Sequence, residues 1–282
     1  MKKYLAGLLC LALVAGILGA GIAGCGSSPA TNLIKSADQA FTDASTYRVK
    51  GTTTSTVDGI SDTTGQSGTL DASFTMEMQK ADNGFNQHRI DTAQNDVVET
   101  YIIGDRLYMG VPGQGWYYGD IGNQAAQQDI TSVSPENLQT ILKYITKSSI
   151  TAEDDATTTL AVQVSQDYLF DVFKQLNSAQ QASGSTSTNL LSQLSDYIKD
   201  ANMDVTMRVE KGTNRLQEIS LTMKISFKPI DQGPQSASMT FATDAQYYDY
   251  NTALQLTLPA DAQNAQPLSA LQNQQTPSQT GQ

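Results

Sequence analysis

The stretch MDVTMRVEKGTNRLQEISLTMKISF, residues 203–227, decides the fold. Met203, Val205, Met207 and Val209 alternate with Asp204, Thr206, Arg208 and Glu210. After Lys211-Gly212-Thr213-Asn214 the alternation resumes, with Ile219, Leu221, Met223, Ile225 and Phe227 set against Ser220, Thr222, Lys224 and Ser226. A period of two sends one set of side chains to each face of a strand, and a glycine-containing polar tetrad between two such runs reads as a turn. The stretch therefore predicts two long antiparallel strands, buried on one face and wet on the other.

The same period recurs on both sides. Downstream, Met239, Phe241 and Tyr247 oppose Ser238, Thr240 and Gln246, and a last strand is expected to reach Leu258. Upstream, TLDASFTMEMQ (69–79) places Leu70, Ala72, Phe74, Met76 and Met78 on one face, and TYRVKGTTTSTVDG (46–59) is its expected partner across a polar loop at 58–68. FNQHRIDTA (85–93) and VVETYIIGDRLYMG (97–110) continue the sheet, the second folding back at Gly104-Asp105. Trp116, Tyr117 and Tyr118 make a short aromatic strand, and TTTLAVQV (157–164) makes another.

Apolar residues at helical spacing mark four further segments. Leu33, Ile34, Ala37, Phe41 and Ala44 predict a helix from Asn32 to near Ser45. Ser134-Pro135-Glu136 supplies a cap, a first-turn proline and an early acid ahead of Leu138, Ile141, Leu142 and Ile145. A helix from Gln166 carries Leu169, Val172, Phe173 and Leu176, and a third in this region carries Leu190, Leu191, Leu194, Tyr197 and Ile198. The pattern is α+β, a strongly twisted antiparallel sheet of about nine or ten strands with helices grouped on its apolar face. Beyond Pro259 the chain is rich in Gln, Ala, Ser and Asn, the composition of a disordered tail over 259–282.

The amino terminus has the layout of an export signal: Lys2 and Lys3, an uncharged run from Tyr4 to Ala23, then small residues before Cys25. Gly16, Gly19 and Gly21 crowd the second half of that run, with Gly24 directly after it, and weaken it as a stable membrane-spanning helix. Ile22-Ala23-Gly24-Cys25 resembles the lipobox of bacterial lipoproteins, although leucine is commoner where Ile22 stands. The resemblance implies cleavage before Cys25 and a diacylglyceryl thioether on its sulfur. Cys10, the other of two cysteines, follows the bulky Leu8 and Leu9 and leaves with the signal. A chain left with one acylated cysteine has no thiol for disulfide, redox or cysteine–metal chemistry.

The organisation expected is thus a signal peptide over 1–24, a lipidated tether over 25–31, one domain over 32–258 and the tail. The formal net charge is -11, and removal of Lys2 and Lys3 makes it more negative. Such a surface argues against nucleic acid and against electrostatic docking to anionic lipid, so attachment rests on the acyl chains. The expected place is the extracytoplasmic face of a bacterial cell membrane.

The order of lipobox, short helix, TYRVKG, the meander VVETYIIGDRLYMGVPGQGWYYGD, helical insert and closing long strands resembles a family of Gram-positive lipoproteins. These are related in fold to the lipid-transfer lipoproteins of the LppX and LprG type and to the LolA and LolB carriers. The resemblance covers residues 32–258 and contains no catalytic signature. It implies an open half-barrel whose concave apolar face, lidded by helices, holds acyl chains. The lining implied is Phe74, Met76, Met78, Met203, Met207, Leu221, Met223, Met239 and Phe241. Methionine adapts to flexible ligands, but it is equally a filler of dry cores, and the sequence leaves both open.

Other candidates carry less. His88 is the one histidine and has no second imidazole, thiol or nucleophile motif with which to form a triad or a zinc site. Glu153-Asp154-Asp155 lacks calcium-loop spacing, and the glycines of GVPGQG precede a strand instead of opening a phosphate-binding helix. Trp116 in GWYYGD is either a stacking patch for sugar or peptide or an edge-sealing residue. No enzyme, cofactor or metal is expected. A monomeric carrier of lipid or another amphiphile leads, with an envelope binding or sensory module built on the aromatic strand as the alternative.

Overall fold

A computed structural model describes residues 28–58, 68–82, 84–94, 96–120, 143–168, 170, 198–229, 237–268 and 270. In chain order these form helix α1 (Pro29–Asp43) and strands β1 (Thr46–Asp58), β2 (Gly68–Ala81), β3 (Gly84–Ala93), β4 (Asp96–Ile103), β5 (Arg106–Val111) and β6 (Gly115–Asp120). Then come β7 (Ile145–Glu153), β8 (Thr157–Val164), β9 (Ile198–Glu210), β10 (Leu216–Phe227), β11 (Ala237–Tyr248), a 3-10 helix (Ala260–Asn264) and β12 (Gln266–Pro267). The strands hydrogen-bond in the order β12-β6-β5-β4-β3-β2-β1-β11-β10-β9-β8-β7. Among the described residues β12 and β7 stand at the two ends of this order and do not pair with each other, so the sheet these strands form is open. Its pairings are antiparallel through β3–β6 and β7–β11, and parallel where β12 joins β6.

The chain divides into two compact units, one comprising the residues to Asp43, Gly51–Ala72 and Gln127–Tyr247, the other Ala44–Lys50, Ser73–Ala126 and Tyr248 onward. The residues expected as one domain, 32–258, are shared between them. In the first unit the 203–227 stretch is the hairpin its alternation predicts. β9 buries Ala201, Met203, Val205, Met207 and Val209 and exposes the residues between. The turn closes with Gly212 at φ 84° and Asn214 at φ 56°, the left-handed backbone that glycine and asparagine tolerate best.

Helix α1 starts because Ser28 and Pro29 start it. The Ser28 Oγ accepts the backbone N–H of Thr31 at 3.1 Å, an N-cap, and Pro29 occupies the first helical position where no N–H is needed. Its stripe of Ile34, Ala37 and Phe41 is fully buried. The helix packs against β7 and β10, with the Thr31 and Ser148 hydroxyls 3.2 Å apart and Phe41 edge-on to Tyr247 at 5.4 Å. Truncating Phe41 to alanine would cost about 3–5 kcal/mol.

In the second unit β3–β6 form a meander whose β4–β5 turn falls at Gly104, φ 58°, as its sequence predicts. Tyr47 is fully buried between Phe85 and Tyr250, ring centroids 5.9 and 6.0 Å away. The segment after β11 is tied to the start of β1. Asn251 donates its N–H to the Thr46 carbonyl at 2.9 Å, its Oδ1 accepts the Ser45 N–H at 2.7 Å, and Thr46 Oγ1 donates to the Thr252 carbonyl at 2.6 Å.

Several expectations are corrected. The helix begins at Pro29, not Asn32, so the tether expected over 25–31 gives its last three residues to α1. Ile145 and Ile198, placed on helical stripes, open β7 and β9. The helix expected after Ser134, the third helix up to Tyr197, and the second beyond its first turn lie outside the described residues, as do Cys25, the signal peptide and the loop at 59–67. β7 went unpredicted because it is an edge strand exposed along most of its length, with no apolar alternation. Residues 252–259 do not form the strand expected to reach Leu258. The tail expected from 259 is structured through Leu268: Ala262 is fully buried in the 3-10 helix, and Gln266 and Pro267 pair with Tyr117 and Tyr118. Elements this short have no period to read.

Candidate functional site

The expected lining residues fall in two groups. In the first unit, register places them in rows across four strands. Val164 of β8 pairs with Met203 of β9, Met203 with Met223 of β10, and Met223 with Phe241 of β11. Two neighbouring rows run Val162–Val205–Leu221–Thr243 and Leu160–Met207–Ile219–Ala245. Directly opposed residues share a face, so Met203, Met207, Leu221, Met223 and Phe241 lie on one apolar surface, together with Met239 in the row of Ala201 and Ile225. The first five are 0–3% exposed, while Met239 at the margin is half-buried. A side chain lining a water-sized void exposes surface to it, so these five are close-packed.

Phe74, Met76 and Met78 belong to the second unit and are buried at 7%, 2% and 3%. Phe74 is not in purely apolar company. The Arg89 guanidinium sits 5.0 Å from its ring centroid, in cation–π range, and is held by Asp91 at 2.8 Å through both Nε and Nη2. Arg89 is buried. Sequence reading missed this pair because β3 is polar on both faces; the one signal was an arginine two residues before an aspartate, hence on the same face of a strand.

His88 also gains neighbours that spacing did not show. Its Nε2 lies 2.9 Å from Glu99 Oε1 and its Nδ1 3.4 Å from Glu77 Oε2, and its ring stacks on Tyr101 at 4.2 Å. Arg48 binds Glu77 and Asp249, both at 2.8 Å. Burial pushes the Glu77 carboxyl up, but Arg48 and His88 outweigh it and hold it below the usual range. Burial, then the hydrogen bond to Glu99 at 3.0 Å, pushes the Tyr101 phenol up to about 12. With the two carboxylates on β2 and β4 and the imidazole on β3, the cluster is a cross-strand tie. Among the described residues no group of His, Cys, Asp and Glu could hold a metal ion.

Asp154 is a turn-former. Its carboxylate accepts the Thr157 hydroxyl at 2.8 Å and the N–H groups of Thr157 and Ala156 at 2.6 and 2.8 Å. Those bonds hold its carboxyl down to about 2. Glu153 pairs with Lys211 at 3.2 Å, so the first two acids of the run are engaged in structural contacts.

The aromatic strand borders a real concavity. A cleft of about 550 Å³ is lined by Val97 and Glu99 of β4, Gly110 and Val111 of β5, the connection 112–114, Gly115 and Trp116 of β6, and Asp261, Asn264 and Gln266. All of it lies within the second unit. Trp116 is half-buried and stands opposite Gly110, where an added Cβ would come within 3.1–3.3 Å of three indole carbons. Glycine at 110 thus gives the ring its seat. The sequence offered Trp116 but not its acidic and amide neighbours, three of which come from a segment read as tail.

The family described as "Family of unknown function (DUF6612)" matches residues 29–267. No curated protein matches the sequence. Among solved structures, the LolA superfamily protein NE2245 from Nitrosomonas europaea is similar, at 11% identity over 83% of this chain and 96% of that chain, with a TM-score of 0.24. At that score the architecture rests on the strand order and register given above.

Proposed function

The chain belongs to the DUF6612 family, and from that premise we propose that it is a non-enzymatic lipoprotein, anchored through acyl chains on Cys25 to the extracytoplasmic face of a bacterial membrane, which binds or carries an amphiphile. The observation that carries the reading is the apolar face on which Met203 and Met223 stand opposite each other in one row, with Met207 on the same face beyond the intervening Val205–Leu221 row. Unbranched thioether side chains move apart at small cost, so Met203 and Met223 give this face, shared with Val162, Val164, Val205 and Ile219, a place that can admit an acyl chain where its branched residues would resist. The sequence resemblance to the LppX, LprG and Lol carriers supports a sheet curled as a half-barrel about that face, working as a monomer. The lipobox supports the anchor, and the net charge of -11 supports attachment by acyl chains instead of by headgroup attraction.

A second reading, an envelope binding module working through the aromatic strand, is favoured by the cleft at Trp116. Native mass spectrometry of the full chain released from membranes in mild detergent separates the two. The carrier reading expects a co-purifying lipid mass and saturable uptake of a fluorescent fatty acid. A bare protein mass with no uptake would overturn it.

A further inference from the structure

We propose that the Trp116 cleft is a contact site for a neutral glycan, which deepens the second reading above and is independent of the acyl-chain reading. Three features of the lining select this ligand class.

The first is charge. Glu99 and Asp261 bring two carboxylates, and none of the lining residues is Lys, Arg or His. A phosphate, a carboxylate or an anionic headgroup would meet no cation in the lining, and His88 beside Glu99 is already engaged by Glu99 and Glu77. The second is polarity. Gln114, Asn264 and Gln266 each carry an amide that both donates and accepts, beside carboxylates that only accept. Sugar hydroxyls also donate and accept, so they satisfy such a mixed set, whereas an acyl chain would leave it desolvated and unpaired. The third is the indole. Seated over Gly110 and 5.9 Å from the Tyr101 ring, Trp116 is a braced apolar plate which, with Val97, Val111 and Pro112, faces the carboxylates and amides of the same cleft. A sugar ring has an apolar C–H face to lay on such a plate and a hydroxyl rim to meet the amides.

An extended peptide fits less well. Peptides commonly add to a free strand edge, and the outer edge of β6 is taken by β12 at Tyr117 and Tyr118.

Trp116 is the only tryptophan in the chain, so its emission reports this cleft. The full-length protein in detergent micelles is titrated with two neutral probes, N-acetylglucosamine oligomers and cello-oligosaccharides. A saturable blue shift is expected with one of them, with a Kd on the order of 0.1–1 mM, ordinary for a shallow site. Asp261→Ala and Asn264→Ala, which change exposed residues and leave the indole in place, should each weaken that Kd about 5- to 20-fold, the loss of one hydrogen bond to a carboxylate or an amide. Unchanged binding in both variants would place the sugar elsewhere and overturn the proposal. A shift produced by a basic hexapeptide but by neither sugar would keep the binding-module reading and overturn the glycan class. No shift with any probe, together with resistance of Trp116 to acrylamide quenching, would overturn both.

Discussion

Met203 and Met223 stand directly opposite each other across β9 and β10, and Met223 faces Phe241 on its other side. At 3%, 0% and 3% exposure the three form one band of closely packed, deformable side chains. Whether that band is only core or also a chain-binding face turns on its stiffness, not its polarity. Met203→Leu together with Met223→Leu conserves volume and should cost less than about 1.5 kcal/mol per site. Under the carrier reading uptake of a fluorescent fatty acid should nevertheless fall several-fold, because leucine is less adaptable than methionine. Equal uptake by the double variant, with melting unchanged, would take the methionines out of the ligand path.

Met207→Glu in combination with Met223→Glu is expected to abolish cooperative melting. Both sites are 2% exposed or less, and an unpaired buried carboxylate costs several kcal/mol against a total stability of about 5–15 kcal/mol. A folded double variant, judged by circular dichroism, would mean that water reaches the face.

Ending the chain after Leu258 should lower the melting temperature of the second unit. The cut removes fully buried Ala262 and the β12 strand that covers the edge of β6. It also removes Leu268, whose Cδ1 sits where a Cβ on Gly119 would come within 2.7 Å. A loss of about 1–2 kcal/mol corresponds to about 2–8 °C for a domain of this size. A thermogram that matches the intact protein would show that these short elements add nothing.

The contrast between the interior and the edges of this sheet explains how much of the fold was legible. From Ile198 to Phe227 one face is buried and the other wet, so the alternation is written into the sequence and the pairing of Met203 with Met223 follows from it. At the edges the rule fails. β7 is exposed along most of its length and β12 is two residues long, so neither carries a period. The α1 boundary was in principle readable from Ser28-Pro29, a cap followed by a first-turn proline. The site was legible residue by residue but not as a group: Trp116 and His88 stand out, while Glu77, Glu99, Asp261 and Asn264 become their neighbours through pairings of distant segments.

Asp154 sets a pH dependence whose sign can be worked out. Its folded-state carboxyl is held down to about 2 by Thr157 and Ala156, below the ordinary 3.8. The folded chain therefore binds that proton less readily than the unfolded one, and the resulting stabilisation is present above about pH 4 and lost as pH falls through about 2. Carboxyl chemical shifts followed by NMR should give a midpoint near 2 for Asp154. A midpoint near 4 would mean the three hydrogen bonds are absent in solution. Asp154→Asn should abolish the corresponding step in the acid-stability profile.

Cys25→Ser tests the anchor apart from any ligand. Without the sulfur no thioether can form, so labelling with a fatty-acid analogue should vanish and the uncleaved precursor should accumulate in the membrane fraction. Persistent labelling in the variant would show that acylation occurs elsewhere or that the lipobox resemblance misleads.

Gly110→Ala probes the seat of the indole. The new methyl would meet three carbons of the Trp116 ring at 3.1–3.3 Å, closer than ordinary contact, and a rigid bicycle cannot yield at one atom. The ring must therefore shift as a whole, by a few tenths of an ångström, towards the cleft it borders. Overpacking of this kind costs about 1–3 kcal/mol when the neighbours are fixed. Here one side of the ring faces open space in the cleft, so the expected destabilisation sits at the low end, about 1 kcal/mol. The larger effect should be optical. Trp116 is the sole tryptophan, and pushing it outward should red-shift its emission and raise its quenching by acrylamide. A methyl accepted with no change in emission would show that the indole is not held against residue 110, and the cleft would lose its plate.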